Sequence, residues 1–157
     1  MKTIKRILLG LLLVLAAIQF VRPAKNLSAA APGTDDFIVR FAPPPEVKRM
    51  LEKGCYDCHS NHTRYPWYAA VQPVAWWLAR HIDEAKGALN FSEFGAYSPR
   101  TQAKKLDALV DEVETRGMPL KTYTWIHRDS VFTDAQIKTL VAWAEALREK
   151  VEPEKEQ

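Results

Sequence analysis

Cysteine is scarce in this 157-residue chain, with Cys55 and Cys58 the only two. Two cysteines exclude a disulfide-rich secreted scaffold, which relies on several bridges. Without a second pair they do not form the usual four-ligand zinc site either. Six glycines and ten prolines are too few for a low-complexity chain, and no repeat of fixed period is present. No segment alternates apolar and polar residues over a useful length, so the strand signal is missing. The first 25 residues contain no acid. They hold Lys2, Lys5, Arg6, Arg22 and Lys25; setting these five of the 22 basic residues aside leaves 17 against 19 acidic ones. The formal charge of +3 therefore resides at the N-terminus, and the remainder carries about −2. A nucleic-acid binder would need a basic face on its folded part, so that class is excluded. What is present, 47% apolar and 26% charged residues, suits a single globular domain.

Lys2, Lys5 and Arg6 precede an apolar run from Ile7 to Ile18, interrupted only by Gly10. A charged stretch followed by a short apolar run has the form of an export signal. Extended to Val21 the run is about 15 residues, short of the ~20 that span a bilayer. Two outcomes stay open. The segment is removed near the small residues Ala29-Ala30-Ala31, or residues 7–21 remain as an inner-membrane anchor with the basic residues on the cytoplasmic side. Both place the body in the periplasm or otherwise outside the cytoplasm. Residues 1–21 are then a signal or anchor. Residues 22–45, with Pro23, Pro32, Gly33 and Pro43-Pro44-Pro45, read as a tether. Residues 46–150 form the domain.

Within that domain the apolar spacing predicts short helices. Val47, Met50 and Leu51 mark one that stops at Gly54. Val74, Trp77, Leu78, His81, Ile82 and Ala85 mark a second, opened by Pro73 and ended by Gly87 or Asn90. Ser98-Pro99 opens a third, with Ala103, Leu106, Leu109, Val110 and Val113 on one side and Gly117 as its stop. There Lys104-Lys105 and Asp111-Glu112 read as the solvated face. Thr133 and Gln136 have capping-box spacing before a fourth, whose stripe is Ile137, Leu140, Val141, Ala144 and Leu147. The fold class is all-α.

Cys55-Tyr56-Asp57-Cys58-His59 is a C-x-x-C-H motif, the attachment pattern of a c-type haem. Two thiols at this spacing reach the two vinyl groups of one porphyrin edge, and the following imidazole falls beneath the ring as the proximal iron ligand. A disulfide would use the cysteines but leave His59 unexplained, and a thioredoxin-like pair wants a βαβ context. For the opposite side of the iron, Met118 in Gly117-Met118-Pro119 is the favoured ligand. Its rival is His81, on the apolar face of the second helix, where a haem-side or propionate contact is the other reading. The aromatic residues Tyr65, Trp67, Tyr68, Trp76, Trp77 and Phe91 are expected to wall the cofactor while packing the core, a membrane-interface belt being the less favoured reading for Trp67 and Trp76.

These residues resemble the bacterial haem-binding domain family, small exported mono-haem proteins related to class I cytochromes c. Four stretches between about Phe41 and Leu147 carry the likeness: Cys55 to Tyr68; His81-Ile82 with Leu89-Asn90-Phe91-Ser92; Met118-Pro119-Leu120 with Tyr123 and His127; and Thr133 to Gln136 with Trp143. The resemblance implies a cytochrome-c-like bundle of about four short helices around one covalent haem. In it Cys55 and Cys58 are the thioether positions, His59 the proximal ligand and Met118 the distal one. It also implies that the helix before the motif crosses the last helix. The function expected is single-electron transfer with redox partner proteins. The alternatives are a peroxidase-type enzyme, for which His81 or His127 would be the distal acid–base group, and a ligand-sensing haem protein with a labile or open sixth position.

Overall fold

The computed structural model describes residues 1–151. Eight helices follow in chain order: α1 (Lys2–Ile18), α2 (Phe37–Phe41), α3 (Pro45–Gly54), α4 (Tyr56–His59), α5 (Val74–Ala88), α6 (Pro99–Glu114), α7 (Lys121–Thr124) and α8 (Asp134–Val151). Three 3-10 turns, at Trp67–Ala70, Phe91–Ala96 and Arg128–Ser130, link them. The chain is all-α: among the described residues there is no strand, only an isolated bridge between Leu27 and His62. The four helices expected from spacing are α3, α5, α6 and α8. The others are a single turn or little more, apart from α1, and too short for a periodic signature.

Local chemistry accounts for the helix ends. Ser98 Oγ accepts from Thr101 N–H at 3.3 Å, with Pro99 in the first turn of α6. The capping box forms at α8: Thr133 N–H donates to Gln136 Oε1 at 2.9 Å, and Gln136 N–H to Thr133 Oγ1 at 3.3 Å. The left-handed residue after α6 is Arg116, with φ 58°, rather than the expected Gly117. α5 ends at Ala88 with Leu89 as its cap, between the two expected stops, Gly87 and Asn90.

The core lies where α6 and α3 pack on α8. Val47, Met50 and Leu51 of α3 meet Leu140, Val141, Ala144 and Leu147 of α8, with Leu106 and Leu109 of α6 beside them. α5 departs from expectation. Its buried residues are Ala75 and Ile82, while Trp77 is 46% exposed. Ile82 of the expected stripe is buried and Leu78 and Ala85 are half-buried, but Trp77 of that stripe is turned outward and Ala75, outside it, is buried.

Segment 22–45 is packed against the body where the sequence suggests a tether. Asn26 is its fastening point: its N–H donates to the Tyr65 hydroxyl at 2.7 Å, and its amide to Ser60 O and Thr63 Oγ1. Lys86 Nζ donates to Asn26 Oδ1 at 2.9 Å. Further on, Asp36 caps α2, and Phe37 is wholly buried against Phe91, Phe94 and Trp143. The prolines suggested an extended chain, but one phenylalanine placed against the core and one asparagine with four partners hold it down. α1, by contrast, buries none of its residues. Among the described residues no helix is long and apolar enough to cross a membrane.

Candidate functional site

α3 ends by closing Cys55 N–H onto Leu51 O at 3.0 Å. The chain then makes the single turn of α4, in which His59 N–H donates to Cys55 O at 2.9 Å. This turn puts Cys55 and His59 one above the other on a common side. Gly54 permits the approach of the next wall. A Cβ there would lie 2.5 Å from the Phe132 ring and 3.0 Å from the Pro119 ring. Pro119 follows Met118, so the small residue before the motif is what lets the methionine segment come near it.

α6 turns Met118 back toward the same place. Beyond the left-handed Arg116, Met118 N–H donates to Glu112 O at 3.0 Å. Cys55, His59 and Met118 thus line one cavity of about 390 Å³, although 59 residues separate the last two. That volume falls in the range of cofactor and small-molecule sites. Leu89, Phe91, Leu109 and Val113 supply apolar walls. Thr101, Lys104, Lys105, Ala108 and Glu112 complete it along one face of α6. Lys104 and Lys105 therefore border the cavity instead of forming a purely solvated face. Their spacing puts them on one face with Thr101 and Ala108, but what that face meets is set by packing.

His59 is oriented by a backbone group. Its Nδ1 lies 2.9 Å from Leu89 O. A carbonyl only accepts, so Nδ1 carries the proton and Nε2 keeps its lone pair for a metal. Burial holds the imidazolium pKa below its ordinary value, opposed by backbone hydrogen bonds to Leu89 and Ala85. The ring is thus kept neutral, the form that ligates iron. Leu89 could not be singled out from the sequence, because its carbonyl does the work and its side chain does not announce it.

Both cysteines are free thiols. Burial, with the nearby Cys58, pushes the Cys55 thiol up to about 12. Burial, with the Asp57 charge, pushes Cys58 up to about 11. Both are protonated at neutral pH and weak nucleophiles in the folded chain.

The other side of the motif is polar. Asp57 is 8% exposed. Its carboxylate accepts from Arg64 Nε at 2.8 Å and Nη2 at 3.1 Å, and from the Tyr123 hydroxyl at 2.9 Å. Its carbonyl accepts from Thr63 Oγ1 at 2.7 Å. Burial, reinforced by the Asp57 charge, keeps the Tyr123 phenol well above its usual pKa, so it remains the donor. Tyr123 also stacks on His127 at 4.1 Å, and the Tyr68 hydroxyl lies 2.8 Å from His127 Nε2.

His81 is elsewhere. Its Nδ1 donates to Trp77 O at 2.9 Å and its ring lies over the Trp77 indole at 4.2 Å, both on α5's own surface. Neither His81 nor His127 borders the cavity with Met118. Of the aromatic residues expected to wall a cofactor, Phe91 does so. Trp67, Trp76 and Trp77 lie on the surface.

The donor set suits a haem: an imidazole whose Nδ1 donates to Leu89 O, a thioether and the Cys55 thiol on the same cavity, the free Cys58 thiol in the same helical turn as His59, and largely apolar walls. Among curated proteins and among solved structures, none matches the chain. The family described as haem-binding domain matches residues 13–146, from within α1 to the last turns of α8. That span takes in every residue around the cavity as well as the fastened N-terminal segment, and the chain belongs to the haem-binding domain family.

Proposed function

We propose that this chain carries one haem c, bonded through thioethers to Cys55 and Cys58, with His59 and Met118 as its axial ligands, and that it passes single electrons between redox partner proteins outside the cytoplasm. The observation that carries this reading is the meeting of Cys55, His59 and Met118 on one cavity, with His59 Nδ1 committed to Leu89 O. The bound iron would alternate between ferrous and ferric states, one electron at a time.

The residues divide the work. On attachment each thiol would add across a vinyl group, its hydrogen going to carbon, so no oxidant would be needed. Leu89 O fixes the plane of the His59 ring. The hydrogen bond from Met118 to Glu112 O holds the thioether in reach. Lys104 and Lys105 offer two cations at the cavity for the propionates. Leu89, Phe91, Leu109 and Val113 exclude water. A carrier is favoured over a peroxidase-type catalyst because His81 and His127, the candidate distal acid–base groups, lie outside the cavity.

Retention of the N-terminal helix as an anchor is favoured over removal. Cleavage near Ala29-Ala30-Ala31 would take away Asn26, with its bonds to Tyr65, Ser60, Thr63 and Lys86.

The test is production with a c-type haem maturation system. The pigment should stay with the polypeptide through denaturation and solvent extraction, and Cys55→Ala with Cys58→Ala should abolish that. The native protein should be six-coordinate and low-spin, and Met118→Ala should turn it high-spin. A native high-spin ferric spectrum, or one that responds to His81→Ala and not to Met118→Ala, would overturn the ligand assignment.

A further inference from the structure

Trp76, one of the aromatic side chains left outside the cavity, closes the point where α1 joins the body. Gln19, just after α1, is clamped to Gln72, just before α5. Gln72 N–H donates to Gln19 Oε1 at 3.0 Å, and Gln19 Nε2 donates to Gln72 O at 3.3 Å. Gln72 Nε2 and Trp76 Nε1 both donate to Val21 O, at 2.8 and 2.9 Å. Gln72 is buried, so this is a joint and not a loose contact.

Large apolar groups next to the joint along the chain are exposed: Phe20 (89%), Val21, Val71, Trp76 and Trp77. Trp67, 83% exposed, opens the turn that leads to Val71. The bond between Tyr68 and His127 ties that turn to Trp125, which is 71% exposed, and Ile126. A soluble surface rarely shows contiguous apolar patches beyond a few hundred Å² unless something covers them.

We infer that this aromatic face lies on a lipid bilayer, so that the haem-binding domain rests against the membrane surface beside α1 instead of hanging from it on a stalk. The inference rests on the anchored reading given above. The occupant is identified by continuity. The patch begins where the wholly exposed apolar surface of α1 ends, and the joint gives the two little freedom to separate.

Length points the same way. The apolar run from Ile7 to Ile18 is roughly 18 Å long at 1.5 Å per residue, against a hydrocarbon core of ~30 Å. A short helix embedded in lipid draws the residues that follow it down to the headgroup layer. Indoles are the side chains that settle there, their rings apolar and their N–H polar. Arg22 and Lys25, just beyond the joint, bring positive charge to the level of anionic headgroups.

The test uses the full-length haem-loaded protein in vesicles of phosphatidylethanolamine and phosphatidylglycerol, doped with a lipid carrying a photoreactive group near the headgroup. Cross-linked peptides are mapped by mass spectrometry. Labelling of α1 together with peptides holding Trp67, Trp76, Trp77 and Trp125 supports the inference. Trp67→Gln with Trp77→Gln, which removes no hydrogen bond to the fold, should keep the haem spectrum and reduce labelling of the 66–82 peptide to that of α6. Labelling of α1 with the aromatic peptides bare overturns the inference and leaves the anchor intact; the face would then belong to a protein partner. Absence of label on α1 itself removes the anchor, and the inference with it.

Discussion

The two sides of the segment from Cys55 to His59 are built in opposite ways. On one side lies a cavity lined by Cys55, His59 and Met118, with apolar walls from Leu89, Phe91, Leu109 and Val113 and a polar border from α6. On the other, Asp57 is gripped by Arg64, Tyr123 and Thr63 through hydrogen bonds of 2.7 to 3.1 Å. The contrast shows how a four-residue helix, too short to be stable alone, is kept in shape. It is anchored from behind so that its front is left for a ligand. The residue inside the C-x-x-C-H motif that looks like filler, Asp57, is the one that anchors it.

The largest disturbance should come where the two sides share a wall. Gly54→Val places a side chain where a Cβ already meets the Phe132 ring at 2.5 Å, and Phe132 is itself buried. Overpacking of this kind should cost about 2–3 kcal/mol. It should also push Pro119 and Met118 outward, so the denaturant midpoint falls and low-spin character is lost together. An unaltered spectrum would mean that the methionine is positioned independently of the motif.

Next comes the polar side alone. Asp57→Ala should remove about 2 kcal/mol, discounted because the Arg64 side chain is half exposed. Tyr123→Phe should remove about 1 kcal/mol. Both are read from urea unfolding, and both should leave the haem spectrum unchanged. That outcome is the reverse of Met118→Ala, which should change the spectrum with a smaller loss of stability. If Asp57→Ala also converts the iron to high spin, the two sides are not separable.

At neutral pH the smallest effect is that of the thiols before attachment, and it grows only in alkali. Folded values of about 12 and 11 lie above the ordinary 9.0. Between these limits the folded chain keeps protons that the unfolded chain gives up, so stability falls as pH rises above 9. Melting of the haem-free protein should therefore drop from neutral pH toward pH 11. Cys55→Ser with Cys58→Ser should flatten the profile, and an equally steep profile in that variant would assign the loss to other groups.

Much of the architecture was legible because it rests on spacing and caps. Ser98-Pro99 and the pair Thr133 and Gln136 mark helix starts that the fold contains, and the stripe from Leu140 to Leu147 is buried. The failures have physical causes. Segment 22–45 looked like a tether because its prolines and alanines show no period, yet Asn26 and Phe37 bind it through contacts with residues far along the chain. In α5 the spacing from Val74 to Ala85 described an apolar face on which Ile82 is indeed buried, but Trp77 is turned outward and Ala75, off that face, is buried. At the site, the motif and Met118 were readable from residue type. Leu89 O, the space above Gly54 and the cavity edge of Lys104 and Lys105 were not, since a carbonyl, a void and a helix rotation carry no letter of their own.

The sequence by itself determined the all-α class, the pairing of two thiols with an imidazole, and the apolar basic N-terminus, because residue type and short-range periodicity encode them. The tertiary structure alone decided that Met118 reaches the cavity of His59, that His81 does not, and that α1 is bolted to the body through Gln19 and Gln72. Those outcomes depend on how helices rotate and pack around a shared core, and that is settled by burying apolar surface across long sequence separations rather than by any local stretch.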